Sequence, residues 1–176
     1  MEITIRQEQL SDHAIVFQLI AAAFRDEMYS DKREQFLVAR LRNTEDFIPD
    51  LSLVAEVDGR IVAYILLTAI KIISTNEEIP SLALAPVAVL PVFQGKGLGA
   101  ALIEKAHGIA RDLGYQSVIV LGHEKYYPKF GYQPLHYFNL SLPFEAPPEN
   151  CMAIELVPGA LKGLDGKVVY PAAFFE

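Results

Sequence analysis

Val87-Ala88-Val89-Leu90-Pro91-Val92-Phe93-Gln94-Gly95-Lys96-Gly97-Leu98-Gly99-Ala100 holds the most informative pattern in the chain. Apolar residues that read as a strand run into a loop with glycine at 95, 97 and 99. The loop opens directly into a helical pattern carried by Leu98, Leu102, Ala106, Ile109 and Leu113. Glycine lets the backbone turn tightly and lets a ligand approach with no Cβ in the way. The first N–H groups of a helix lack intrahelical partners and sit at the positive end of its dipole. A strand, a glycine loop and a helix start therefore predict a nest for a phosphate or pyrophosphate, with Lys96 as an added point charge.

Three phosphate motifs compete for this loop. A P-loop requires Ser or Thr after its lysine, and Lys96 is followed by Gly97, so Mg²⁺ has no hydroxyl ligand. The dinucleotide fingerprint G-x-G-x-x-A is met by Gly95, Gly97 and Ala100. Its acidic ribose ligand, expected about 20 residues on, is missing: the strand predicted over 117–121 ends in Gly122-His123. That fingerprint also belongs early in a βαβ unit, and here about half the chain precedes it. The third pattern, Gln/Arg-x-x-Gly-x-Gly/Ala, is filled by Gln94, Gly97 and Gly99.

This third pattern resembles the acyl-CoA pyrophosphate loop of the GNAT superfamily of N-acetyltransferases. Pro86-Val87-Ala88-Val89 looks like the family's fourth strand, and Tyr126-Tyr127-Pro128-Lys129-Phe130-Gly131-Tyr132 resembles its Tyr-x-x-x-Gly-Phe segment. The resemblance covers the chain from Ile3 to about Tyr132. The tail through Glu155-Leu156-Val157-Pro158-Gly159-Ala160-Leu161 is similar to the YhbS-like subgroup, with Ala63 and Ala85 where that subgroup often carries glycine.

Composition narrows the classes further. A chain of 176 residues, 52% hydrophobic, suits one domain with a sizeable core. The longest apolar stretch, Ile61 to Ile70, is strand-sized and interrupted by Thr68, so no membrane span is expected. No signal peptide is read at the N-terminus, and a cytoplasmic protein is expected. The single cysteine, Cys151, excludes an intrachain disulfide and a cysteine zinc site, and its apolar neighbours mark it as packed rather than reactive. The histidines show no metal-ligand spacing, so no metal is expected. A net charge of −7 disfavours nucleic acid and mildly suits a cationic amine.

The pattern predicts one mixed α/β layer structure over 1–176, with a core over about 1–135 and C-terminal strands over 136–176 completing the substrate side. Ile3-Thr4-Ile5 starts a strand. Ser11 is read as the cap of a helix bearing Ile15, Leu19, Ile20, Ala23 and Phe24. Asp31 with Glu34 reads as a capping-box start of a second helix, carrying Leu37, Val38 and Leu41. Strands follow over 51–57, 61–68 and 79–89, the first two joined by an Asp58-Gly59 hairpin turn. His107 is read as a surface residue of the long helix. Two or three more strands are expected after Tyr132. Pro86, inside a strand pattern, marks an edge or a bulge.

The resemblance then implies a GNAT-like acyl-CoA N-acyltransferase fold: a central mixed, largely antiparallel sheet, flanked by helices and splayed beside Pro86. Backbone groups of the Val87, Ala88 and Val89 strand would be free there, and pantetheine amides could lie in the gap as an extra strand. The pyrophosphate would meet Gln94, Gly95, Lys96, Gly97, Leu98, Gly99 and Ala100. Acetyl-CoA is the implied cosubstrate, and a small-molecule or peptide amine the implied acceptor. By the same resemblance Tyr127, four residues before Gly131, is the candidate acid for the leaving thiolate, with Tyr126 as the neighbouring alternative. Asp26, Glu27, Asp50 and His123 are candidate bases. No cysteine nucleophile is evident, which favours direct transfer within a ternary complex. A non-catalytic acyl-CoA sensor is the alternative, and the family's habit of dimerising adds a homodimer to the expectations.

Overall fold

The structure, a computed structural model, describes all 176 residues. In chain order it contains strand β1 (Ile3–Gln7), helices α1 (His13–Phe24) and α2 (Glu34–Leu41), and strands β2 (Ser52–Val57), β3 (Arg60–Ser74) and β4 (Glu77–Val89). Helix α3 (Leu98–Asp112) and strand β5 (Ser117–Leu121) follow. Four short tail strands end the chain: β6 (Gln133–Pro134), β7 (Leu140–Ser141), β8 (Cys151–Glu155) and β9 (Gly166–Val169). The first seven in sheet order are β1-β2-β3-β4-β5-β8-β6; β7 and β9 join beyond them, with β9 along the far end of β3.

The β3–β4 hairpin is the spine. β3 is 15 residues long, well past the stretch expected from its apolar run, because its hairpin with β4 continues to Ser74↔Glu77, with β9 on its other edge over Lys71–Ser74 where β2 has stopped. The Asp58-Gly59 turn has φ of 49° and 83°, the geometry that two-residue hairpins favour. The sheet is mixed and largely antiparallel: β4–β5 and the small β7–β9 pair are its parallel pairings. The β4–β5 connection runs through α3, as a parallel crossover requires.

Alternation along the strands divides the core between the two faces. Leu53 and Ala55 of β2 and Ala63, Ile65 and Leu67 of β3 pack with Leu98, Leu102, Ile103, Ala106 and Ala110 of α3. On the other face, Val54, Tyr64, Leu66 and Ala88 pack with Val16, Leu19 and Ile20 of α1 and with Val38 and Leu41 of α2. Each of these fully buried Leu or Ile side chains contributes about 1.5–3 kcal/mol by removal from water. The tail adds a third cluster around Leu135, Leu161 and Tyr170 on Ile70, Ala83 and Ile119. No helix is long and apolar enough to cross a membrane.

Three sequence expectations are corrected. Asp12 rather than Ser11 organises the entry to α1: its Oδ2 accepts the Gln9 N–H at 2.7 Å and pairs with Arg6 at 2.7 Å. The ion pair and hydrogen bond hold its carboxyl below the usual range. Ile15 is 53% exposed, and Val16 takes the buried position instead. His107 is buried, with Nε2 2.8 Å from the Tyr132 hydroxyl, because α3 turns that residue toward the segment after β5. Burial, helped by the nearby Arg111 charge, pushes its pKa down to about 4.

The imidazole of His107 is therefore neutral in the folded protein, whereas an unfolded chain takes up its proton near pH ~6.5. Stability is expected to fall as pH drops from about 6.5 to about 4 and to lose nothing more from this group below that. Urea midpoints measured across this range should flatten in His107→Gln; an equally steep profile in that variant removes the histidine from the account.

A second buried polar group ties α2 to the sheet. The Glu8 side chain is only 2% exposed and pairs with the Arg42 guanidinium. It also accepts from Ser52 Oγ at 2.7 Å, and Ser52 shares a 2.8 Å hydrogen bond with the Tyr64 hydroxyl. Arg42→Ala strands a buried carboxylate and should cost about 3 kcal/mol. A urea midpoint equal to wild type would contradict this.

Candidate active site

Beyond Leu84↔Val120, β4 and β5 no longer pair, while β4 stays on β3 as far as Val89. The register between β3 and β4 slips here. Two steps of β3, from Ile65 to Leu67, oppose three steps of β4, from Val87 back to Leu84. The extra residue forms a bulge at Ala85-Pro86, joined by a cis peptide bond. Proline's missing N–H costs nothing at a position without a ladder partner. The result is a V-shaped fork between the ends of β4 and β5.

Backbone groups alternate in direction along a strand. Leu90 donates its N–H to Val62 of β3 at 2.9 Å, and Ala88 stands opposite Tyr64. Val87 and Val89 therefore turn their N–H and C=O groups into the fork, and Ala88 turns its own toward β3. The Val89 carbonyl accepts from Gln94 Nε2 at 3.2 Å, which folds the start of the glycine loop back on the strand.

The loop itself is an array of unused donors. None of the backbone N–H groups from Gly95 to Ala100 has a partner within the protein; Ala101, donating to Gly97 at 3.0 Å, makes the first bond of α3. Gly97 occupies the N-cap with φ 83° and ψ 7°, left-handed backbone that disfavours a side chain. A Cβ added there would meet nothing within 4 Å, so the loop faces open space. Gln94, Gly95, Lys96 and Gly97 are exposed, whereas Leu98 and Gly99 are buried and anchor the helix start. Gly99 lets Tyr126 approach closely: a Cβ there would lie 2.7 Å from its hydroxyl, so a larger residue would have to displace that side chain. Lys96 Nζ stands 5.3 Å from the centre of the Phe93 ring. Six free donors, a helix N-terminus and a lysine fit a pyrophosphate.

The two tyrosines have different surroundings. Tyr126 is half-buried, with its hydroxyl over the first turn of α3 and Lys129 Nζ 4.9 Å from its ring centre. Tyr127 is buried on the α3 side of the fork, with its ring on Gly122, just past the end of β5, and edge-on to Tyr126 and Tyr132. The Tyr127 hydroxyl makes no hydrogen bond within the protein, yet it is not among the polar atoms sealed from solvent. Burial raises its pKa above the ordinary phenol range, with Tyr126 adding to the effect. It therefore holds its proton throughout the neutral range. The four candidate bases Asp26, Glu27, Asp50 and His123 are all exposed side chains. His123 Nδ1 accepts the Lys125 N–H at 3.3 Å. No cluster of three or more His, Cys, Asp or Glu side chains is arranged to hold a metal ion.

Two features of the site escape the sequence patterns. One is Glu34, which does not form the expected capping box, since α2 begins at that residue with Arg33 as its N-cap. The other is an apolar slot on the opposite side of the fork from Tyr127, walled in part by the tail.

Comparison with known proteins bears on the family and the fold. The acetyltransferase (GNAT) domain family matches residues 49–134, which run from β2 through the glycine loop to β6. The N-acetyltransferase YjhQ of Escherichia coli (strain K12) is 40% identical over 102 residues, spanning 58% of this chain and only 56% of that protein. The crystal structure of YhbS from Escherichia coli in complex with CoA superposes over 100% of this chain and 93% of its own, with a TM-score of 0.87 and 25% identity. A GNAT family acetyltransferase from Brucella melitensis, solved with acetyl-CoA, is 31% identical and covers 98% of each chain with a TM-score of 0.79. With the domain match, a relative 31% identical over nearly the whole of both chains and a shared fold, the chain belongs to the GNAT family of N-acetyltransferases.

Proposed function

We propose that this protein transfers an acetyl group from acetyl-CoA to a primary amine by direct attack within a ternary complex, the whole chain acting as one catalytic domain. The observation that carries the reading is the run of unpartnered N–H groups from Gly95 to Ala100 beside a fork into which Val87 and Val89 turn their backbones. Complexes of YhbS with CoA and of the Brucella melitensis protein with acetyl-CoA support the same cosubstrate for this chain.

Acetyl-CoA supplies a thioester, whose carbonyl carbon accepts the nucleophile and whose thiolate leaves. Val87 and Val89 hold the pantetheine amides as a neighbouring strand would, and one of their N–H groups faces the carbonyl oxygen as it gains charge. The neutral amine attacks, and as the new C–N bond forms and the C–S bond breaks the nitrogen passes its proton to solvent. Tyr127 gives its proton to the departing sulfur and recovers one from solvent.

Release of CoA thiol, followed in the presence of single amines, tests the reaction. Initial velocities with both substrates varied should give intersecting lines. Parallel lines would replace direct transfer by an acyl-enzyme route. Acetyl-CoA binding with no acetylation of any amine would favour the sensor alternative.

A further inference from the structure

The acetyl-transfer reading leaves open which amines are used, and the far side of the fork bears on that. A slot of about 190 Å³ lies against Ala83 and Ala85 of β4 and Ile119 and Leu121 of β5, where those strands separate. Leu37 of α2 closes one side. The tail closes the other with Phe144, Tyr170 and Phe174, which pack edge-to-face at centroid distances of 4.7 and 5.0 Å around Tyr170. Apart from the Tyr170 hydroxyl the side chains that line the slot are apolar, and none is a carboxylate or a base. For scale, a dry apolar cavity of about 150 Å³ holds a benzene ring.

Glu34 does not line the slot, but it stands one helical turn before Leu37, which does. Glu34 precedes Leu37, Val38 and Leu41 by three, four and seven residues, so it lies on the inward stripe of α2. Its Oε1 accepts from Ser30 Oγ, and its Oε2 is buried with no hydrogen-bond partner. A carboxylate oxygen left in this state is costly unless a donor arrives. An ammonium group whose body fills the slot is a donor of the right charge.

We infer that the acceptor is a primary monoamine with a compact apolar body, an aryl or branched-alkyl group of about phenyl size, which lies in this slot while Glu34 receives the ammonium, and that the ammonium gives up a proton to solvent before it attacks. Polyamines and free amino acids do not fit, because each would bury a second charge against a lining with neither a carboxylate nor a base. The inference rests on the acetyl-transfer reading and narrows its substrate.

The test is a kcat/KM series on the whole protein, with acetyl-CoA binding measured separately by calorimetry. Across n-alkylamines from methyl to hexyl, kcat/KM should rise about fourfold per methylene until the slot is full, as expected for burial of apolar carbon. 2-Phenylethylamine should exceed spermidine and phenylalanine by at least about a hundredfold. Leu37→Trp, which fills the slot, should remove most of the gain for hexylamine and 2-phenylethylamine and leave acetyl-CoA affinity unchanged. Phe174→Ala is the second variant, should the first fail to fold; it should shift the optimum to a longer chain. Glu34→Gln should raise the KM for the amines about tenfold, with acetyl-CoA affinity unaltered. A flat alkyl series, or a preference for spermidine or an amino acid, would overturn the inference while leaving acetyl transfer standing. Acetyl-CoA binding with neither turnover nor binding of 2-phenylethylamine would also overturn it. Loss of acetyl-CoA binding itself would instead count against the reading of the glycine loop.

Discussion

Gly97→Glu yields a folded protein whose acetyl-CoA binding is weakened by about a thousandfold or more, the scale of several kcal/mol for like charges set against each other. Gly97 is the N-cap of α3 at φ 83°, and a side chain there extends into open space rather than into the core. The fold therefore bears only the strain of a left-handed non-glycine residue, about 1–2 kcal/mol. The glutamate carboxylate would occupy the concavity formed by the free N–H groups of Gly95 to Ala100 and compete with the pyrophosphate for them. Calorimetry and a thermal melt together read the outcome. Wild-type affinity in a folded variant would remove the loop from the binding site.

Tyr127→Phe is expected to lower kcat by about 10²–10⁴-fold, the usual range for loss of a positioned general acid. Acetyl-CoA affinity should change little, because the hydroxyl makes no hydrogen bond that holds the fold and the ring is retained. Burial raises the pKa of Tyr127, so its acid role should persist to at least about pH 10, the ordinary phenol value, with no descending limb below it. Equal kcat in wild type and variant would take Tyr127 out of the acid role. Tyr126, whose hydroxyl lies over the first turn of α3, would then be the phenol to test.

The parts of this structure legible from sequence are those fixed by short-range chemistry. The glycine loop announces itself because left-handed backbone at Gly95 and Gly97 favours one residue type. Pro86 signals its bulge because proline cannot donate to a ladder. The strands from β1 to β5 follow from alternation and one strong turn. What was not legible depends on residues distant in the chain. The buried position of His107 is set by Tyr132, 25 residues away. The far end of β3, already paired with β4, also takes β9 on its other edge, almost a hundred residues later, and periodicity carries no trace of that partner.

Glu34 shows the same limit more sharply. An acidic residue three positions after Asp31 has the look of a cap, and nothing local distinguishes that from a carboxylate turned inward. Its spacing from Leu37, Val38 and Leu41 was the available signal: four residues on one helical stripe, one of them charged. The slot could not be read in advance, because its walls come from α2, β4, β5 and two separate parts of the tail.

Calorimetric titration with acetyl-CoA, run beside CoA and NADH, tests the central claim most directly. The account predicts micromolar binding of one acetyl-CoA per chain, comparable binding of CoA and none of NADH. No binding of either acyl carrier, or binding of NADH alone, would contradict it.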